Sequence, residues 1–187
     1  MSEGDPAGGA HVPGQGSPGT LETARLILRP WRVTDAFVSR RLWTERDPRV
    51  PAHRRIDAEG HPTVEDLEDW VRRYEHSPHP GLLVAELRNS GQVIGYCGLT
   101  PTDHGLPEEP ELAFEFLRSV WRQGFATEAA TAVLEYARAE GHTRFWATVW
   151  DWNIASRRVL AKLGFVETGD VEPRSVHGRT LLTVASF

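Results

Sequence analysis

Two stretches of this 187-residue chain carry residue types at spacings that can do chemistry. The first is Trp121-Arg122-Gln123-Gly124-Phe125-Ala126-Thr127-Glu128-Ala129, between a strand pattern and a helix pattern. A turn there leaves backbone N–H groups unpaired at a helix N-terminus. Their dipoles and the helix macrodipole favour an anion such as a pyrophosphate. Gly124 and Ala126 are small, so the backbone can approach a phosphate closely. Taken alone, a small residue at such a turn is more often plain packing. The second stretch is Asn153-Ile154-Ala155-Ser156-Arg157-Arg158-Val159-Leu160-Ala161-Lys162-Leu163-Gly164-Phe165. Asn153 can cap a helix and hydrogen-bond a ligand beside it, and Ser156 and Arg157 in the first turn can meet a phosphate. Its plain reading is a helix with an Asn cap, a Gly164 stop and a solvated Arg157–Arg158 face. Cys97, the one thiol, lies between Tyr96 and Gly98 in an apolar run. It reads as a small buried strand residue ahead of a catalytic nucleophile.

The elements that must position these residues follow from periodicity. Arg25 to Arg29 is a short apolar run closed by Pro30, a first strand. Thr34-Asp35 offers an N-cap for a helix to about Glu45. Residues 49–61 have no period and read as a loop. Thr63 with acids in the following turn starts a second helix, running to about His76. Leu82–Leu87 and Gln92–Leu99 form a hairpin about Asn89-Ser90-Gly91. The loop Pro101–Pro110 leads into a fourth strand, Glu111–Leu117. Phe125, Ala129, Ala132, Val133, Tyr136 and Ala137 share one helix face, and Gly141 ends that helix. Arg144–Val149 is a fifth strand, Asn153–Leu163 a helix, and the remainder strands. A meander followed by strand–helix–strand–helix–strand predicts a mixed α/β sheet in one domain over residues 21–187. Residues 1–20, rich in Gly, Pro and Ser, cannot bury enough surface to order themselves and are expected to be a disordered tail.

Composition narrows the classes of function. The chain is 40% hydrophobic and 25% charged, with a net charge of −5, which argues against a nucleic-acid partner that needs a basic face. No window reaches a membrane span, and the first residues lack a secretory pattern. A single cysteine fits a reducing, cytoplasmic setting. The eight histidines show no metal-ligand spacing, so no metal is expected.

Together, in this order and about 30 residues apart, the two stretches resemble those of the GNAT acetyltransferase family, and within it the RimJ/RimL-like branch. Thr23-Ala24-Arg25-Leu26-Ile27-Leu28-Arg29-Pro30 resembles that branch's first strand. The resemblance covers Leu21 to the C-terminus. It implies a mostly antiparallel twisted sheet with helices on both faces and a splay between the fourth and fifth strands. It implies acetyl-CoA as co-substrate, its pyrophosphate on Arg122, Gln123, Gly124, Phe125, Ala126 and Thr127. Asn153, Ser156 and Arg157 contact it from the second stretch. Backbone groups of Phe116, Leu117 and Arg118 hold the pantetheine arm and polarise the thioester. An amine attacks directly, so no enzyme nucleophile is needed. Glu111 matches the acidic position used as base or water-holder, with Glu115 the lesser candidate. Leu160 stands where many members carry the tyrosine that protonates the departing thiolate. A thiol of pKa about 8.5 can leave unaided near neutral pH.

The resemblance places the acceptor pocket on residues 36–76 and Pro101–Pro110. Trp31, Trp43, Trp70 and Tyr74 with Glu65, Asp66, Glu68 and Asp69 would suit a cationic amine, though acids at a helix start and inward-packed aromatics explain them equally well. The leading function is N-acetylation of a protein N-terminus or small amine. Antibiotic or polyamine acetylation, and an acyl-CoA-binding domain without turnover, are the alternatives. Dimers are common in the family, and the sequence leaves assembly and acceptor open.

Overall fold

The computed structural model describes residues 19–74, 81–171 and 175–187. Nearly all of the expected tail lies outside the described residues, as does the end of the second helix. The described strands are β1 (Leu21–Glu22), β2 (Leu26–Arg29), β3 (Leu82–Leu87), β4 (Val93–Thr100), β5 (Glu111–Phe116), β6 (Arg144–Trp150), β7 (Val166–Val171) and β8 (Thr180–Ser186). The helices are α1 (Ala36–Glu45), α2 (Val64–Tyr74), α3 (Phe125–Ala139) and α4 (Ile154–Lys162). One sheet runs β1-β2-β3-β4-β5-β6-β8-β7. Every neighbouring pair is antiparallel except β5 with β6. The two-residue β1, too short to show a period, shifts the count, so the expected fourth and fifth strands are β5 and β6.

Alternation along the strands gives the sheet two faces. Leu26, Leu28, Leu83, Ala85, Cys97, Leu112 and Phe116 pack against Ala129, Ala130, Val133, Leu134 and Ala137 of α3. Fully burying a side chain such as Leu28 contributes about 1.5–3 kcal/mol. The register aligns Arg29, Val84, Tyr96 and Glu115 across the opposite face. There Trp31 meets the Trp70 ring of α2 edge-on at 6.2 Å and lies 5.9 Å from Tyr96. Arg29, buried beneath α1, donates to both Asp35 oxygens (2.8 and 3.0 Å) and to Glu86 (2.7 Å), which fixes the entry to that helix. At the start of α2, the Thr63 hydroxyl accepts from Asp66 N–H while the Asp66 carboxylate accepts from Thr63 N–H, a reciprocal cap.

Two irregularities open the site. Ala85 pairs with Gly95 but Glu86 with Val93, so Ile94 is an extra residue in β4 and turns into the α3 core. The parallel pair β5–β6 has one matched position, Glu111 opposite Trp146. Beyond it the strands separate, and the expected splay is present.

Candidate active site

The separation leaves a cleft of about 1060 Å³, lined by β5, the turn into α3, the end of β6, the first turns of α4 and the loop after α1. On β5, Leu117 N–H donates to Ile94 O on β4 at 2.9 Å. With a two-residue period, the backbone groups of Phe116 and Phe114 face the opening instead. The Phe116 carbonyl there accepts the Trp121 indole N–H at 2.7 Å. Of the three residues expected to offer amides, Phe116 therefore faces the cleft. Leu117 is turned to β4, and Arg118 N–H donates to the Glu45 carboxylate of α1 at 2.6 Å.

The turn into α3 uses two left-handed positions, Arg122 (φ 63°) and Gly124 (φ 85°). Gly124 occupies the N-cap, and no side chain caps the helix, so its first amides are left for an external acceptor. Arg122, Gly124, Phe125, Ala126 and Thr127 line the cleft. The Gln123 side chain is turned back to Ser119 O at 3.2 Å. From α4, Asn153 and Ser156 line the cleft, with Asn153 Oδ1 capping Ser156 N–H at 3.2 Å. Arg157 faces away, donating to Glu167 (2.7 Å) and to Asp151 O (3.0 Å). Its neighbour Arg158 lines the cleft in its place, with Lys162 one helical turn on and Leu160 between them. Among the described residues Arg122, Arg158 and Lys162 have no side-chain partner.

Glu111 stands where β5 and β6 part. Its carboxylate accepts from Thr148 N–H (3.0 Å), the Thr148 hydroxyl (2.5 Å) and the Thr102 hydroxyl (3.2 Å). All three donors are neutral, and among the described residues no cation pairs with it. Glu115 differs: Arg46 grips it through two bonds (2.9 and 2.7 Å) and the Tyr96 hydroxyl donates to it at 3.0 Å. Burial, then the Glu115 charge, pushes the Tyr96 phenol above its ordinary value. Cys97 lies on the α3 face, outside the cleft, and burial pushes its thiol up, so the buried-strand reading holds.

The acids of α2 do not line the cleft. Asp66 is spent on the cap and on His61, while Glu68 and Asp69 pair with Arg72 at 2.8 and 2.6 Å. The cleft is lined instead by Asp47, His53, Arg54, Asp103 and His104, and by Trp150 and Trp152, whose rings stack at 6.1 Å. Thr148, Arg158 and these two tryptophans are absent from the sequence-derived site. The alternation of β6 carried a signal for part of it: Phe145, Ala147 and Val149 join the α3-side core, so Trp146, Thr148 and Trp150 share the other face.

A mixed sheet split at one parallel pair, with a helix N-terminus that no side chain caps and cations along the split, defines the class of this α/β fold. Residues 25–166 match the acetyltransferase (GNAT) domain, and the chain belongs to that family. It is 35% identical over 88 residues to the Bacillus subtilis "Uncharacterized N-acetyltransferase YoaA", covering 45% of this chain and 48% of that protein. The chain spans about half the length of the curated relatives it matches first. Among solved structures it is similar to a GNAT-family acetyltransferase from Bacillus anthracis, with TM-score 0.72, 20% identity and coverage of 89% and 98% of the two chains. It is also similar to Mycobacterium smegmatis RimJ in complex with CoA-disulfide, with TM-score 0.67, 22% identity and coverage of 90% and 86%. Among the described residues, no helix is long and apolar enough to cross a membrane.

Proposed function

We propose that this chain is a RimJ/RimL-like N-acetyltransferase that moves an acetyl group from acetyl-CoA to a primary amine, a protein N-terminus or a small molecule. The residues present suit that co-substrate. The uncapped N-terminus of α3 and the cations Arg122, Arg158 and Lys162 would take its phosphates, with Asn153 and Ser156 beside them. The backbone of Phe116 would take its amide-bearing arm. When bound, it supplies an activated acyl group that passes from sulfur to the amine nitrogen. The chain's own task is to bring a neutral amine to that group. An alkylammonium of pKa about 10.4 must lose a proton first, and Glu111 takes it, directly or through one water. Glu111 carries the reading: a cleft carboxylate fixed by three neutral donors keeps its charge available, whereas Glu115 is neutralised by Arg46. The buried, lone Cys97 suits a reducing, cytoplasmic setting.

One specific observation favours a second reading. Leu160 lines the cleft where a proton-donating tyrosine is expected, which fits an acyl-CoA-binding domain without turnover. Calorimetric titration with acetyl-CoA, beside the Asn153→Ala and Gly124→Trp variants, followed by an amine and peptide screen, separates the two. Binding that both changes weaken, together with acetyl transfer, supports the enzyme. The same binding with no transfer supports the second reading, and no binding by the unmodified chain overturns both.

A further inference from the structure

The motif Thr23-Ala24-Arg25 lies outside the cleft, yet it makes the densest set of contacts to the loop that is proposed to hold the phosphates. A tight turn, with Leu26 N–H donating to the Thr23 hydroxyl at 2.9 Å, sets Arg25 between β1 and β2. From there the Arg25 guanidinium reaches three parts of the loop. Nη1 donates to Gln123 O at 3.0 Å, and Nε donates to the Glu128 carboxylate at 2.7 Å. The guanidinium carbon also lies 4.2 Å over the Phe125 ring. The other Glu128 oxygen accepts from Arg25 N–H (2.8 Å) and the Thr23 hydroxyl (2.6 Å). Burial pushes the Glu128 carboxyl up, but these donors outweigh it and hold the group below its usual range.

The contact to Gln123 O has a directional consequence. In a trans peptide the C=O of one residue and the N–H of the next point in opposite directions. Drawing the Gln123 carbonyl toward Arg25 therefore aims Gly124 N–H away from it, toward the cleft that Gly124 lines. Gly124 is left-handed, and a side chain there would meet Arg25 Nη2 at 3.4 Å, so guanidinium and glycine pack face to face. We infer that Arg25 is a positioning residue for co-substrate binding: it locks the Gln123–Gly124 peptide so that its N–H serves as an anion donor, and it neutralises the Glu128 carboxylate in the first turn of α3, next to that donor. The inference rests on the acetyl-CoA reading above.

The test compares a donor with a pyrophosphate against one without. Steady-state kinetics with acetyl-CoA and with acetyl-pantetheine, plus CoA titration, are run on the unmodified protein, Arg25→Met, Arg25→Lys and Glu128→Gln. Arg25→Met is expected to raise KM for acetyl-CoA and Kd for CoA by about tenfold or more, the scale of one misdirected charge-assisted hydrogen bond. Its kcat at saturation and its kcat/KM for acetyl-pantetheine should change less than about threefold, because that donor never meets the loop. Arg25→Lys, which keeps a cation and one donor, should recover part of the affinity. Glu128→Gln, which leaves the Gln123 anchor, should lose less than Arg25→Met. Unchanged CoA affinity in folded Arg25→Met overturns the inference, as does an equal loss with both donors, which marks general damage. If Arg25→Met does not fold, Arg25→Lys decides by the same ratio of the two donors. If the unmodified protein binds no CoA, the underlying reading fails first.

Discussion

Replacing Glu111 tests the acid–base assignment most sharply, because the structure separates its chemical effect from its structural one. A glutamine at this position keeps an oxygen toward Thr148 N–H, while its NH2 turns to Thr102, whose hydroxyl can rotate and accept. The structural cost of Glu111→Gln is then below about 1 kcal/mol. Glu111→Ala instead abandons three donors, two on Thr148 and one on Thr102. At a half-buried site each costs about 1 kcal/mol, the low end of its range, or ~2–3 kcal/mol together. For a chain of this size that lowers Tm by roughly 5–10 °C. The chemical effect should be the same for both variants. At neutral pH roughly one alkylamine in a few thousand, or about one peptide α-amine in ten, is uncharged, and losing the general base costs about 10²–10⁴ in kcat/KM for an alkylamine acceptor. That corresponds to ~3–5 kcal/mol in the barrier. The deficit should shrink above about pH 9, as solvent deprotonates the amine without help. Release of free thiol against pH reads this directly, with CoA affinity as the control. A Glu111→Gln variant that keeps turnover at pH 7.5 within about threefold, with an unchanged pH profile, removes Glu111 as the base.

Three further outcomes follow from other parts of the molecule. Cys97 is fully buried and its thiol is pushed up by burial, so a thiol reagent should label it only in denaturant, and Cys97→Ala should keep its turnover; fast labelling of the folded chain would place it in the cleft instead. Gly98→Ala would put a methyl group 2.0 Å from Gly81 O and 2.6 Å from Leu82 Cα, both backbone, so a loss of about 3 kcal/mol or more is expected, with Tm down by roughly 6–12 °C; a variant of normal Tm contradicts the β3–β4 packing. His61 is raised by its hydrogen bond and charge pairing with Asp66, whose own value is held at about 2, first by Thr63 N–H and then by His61. A raised histidine value means that the pair steadies the start of α2 fully below about pH 6.5 and lets go as pH climbs through the raised value. An NMR titration of the His61 ring should show that upward midpoint, and Asp66→Asn should bring it back to the ordinary range; equal midpoints would mean that no pair forms in solution.

How far the site is legible in the sequence depends on what each residue's role rests on. The α3 face is legible because helical spacing is a local property, and so are the caps Thr63 and Asn153, whose partners lie three residues on. The splay is not local. It comes from a parallel pair matched at one position, and only the family resemblance anticipates it. Charges are the hardest to read, because a charged residue's role is set by its partner. Glu68 and Asp69 look like an acidic mouth until Arg72, on the same helix, claims both. Arg157 and Arg158 are adjacent and chemically equal, yet Glu167 on β7 takes the first and leaves the second to the cleft. Arg25 reads as the edge of a strand until Gln123 and Glu128, about a hundred residues away, arrive beside it. Most of the described arginines are committed to carboxylates, carbonyls or rings elsewhere, so it is the grouping of unpartnered cations along one cleft, and not a lone one such as Arg55, that supports an anion site. Arg122, Arg158 and Lys162 meet that description along one side of the split, and on the other side Glu111 is a carboxylate that, among the described residues, no cation holds. That arrangement of unspent charge, cations at the α3 and α4 end and a carboxylate where β5 leaves β6, is what supports the proposed acetyl transfer from a phosphate-bearing thioester to an amine.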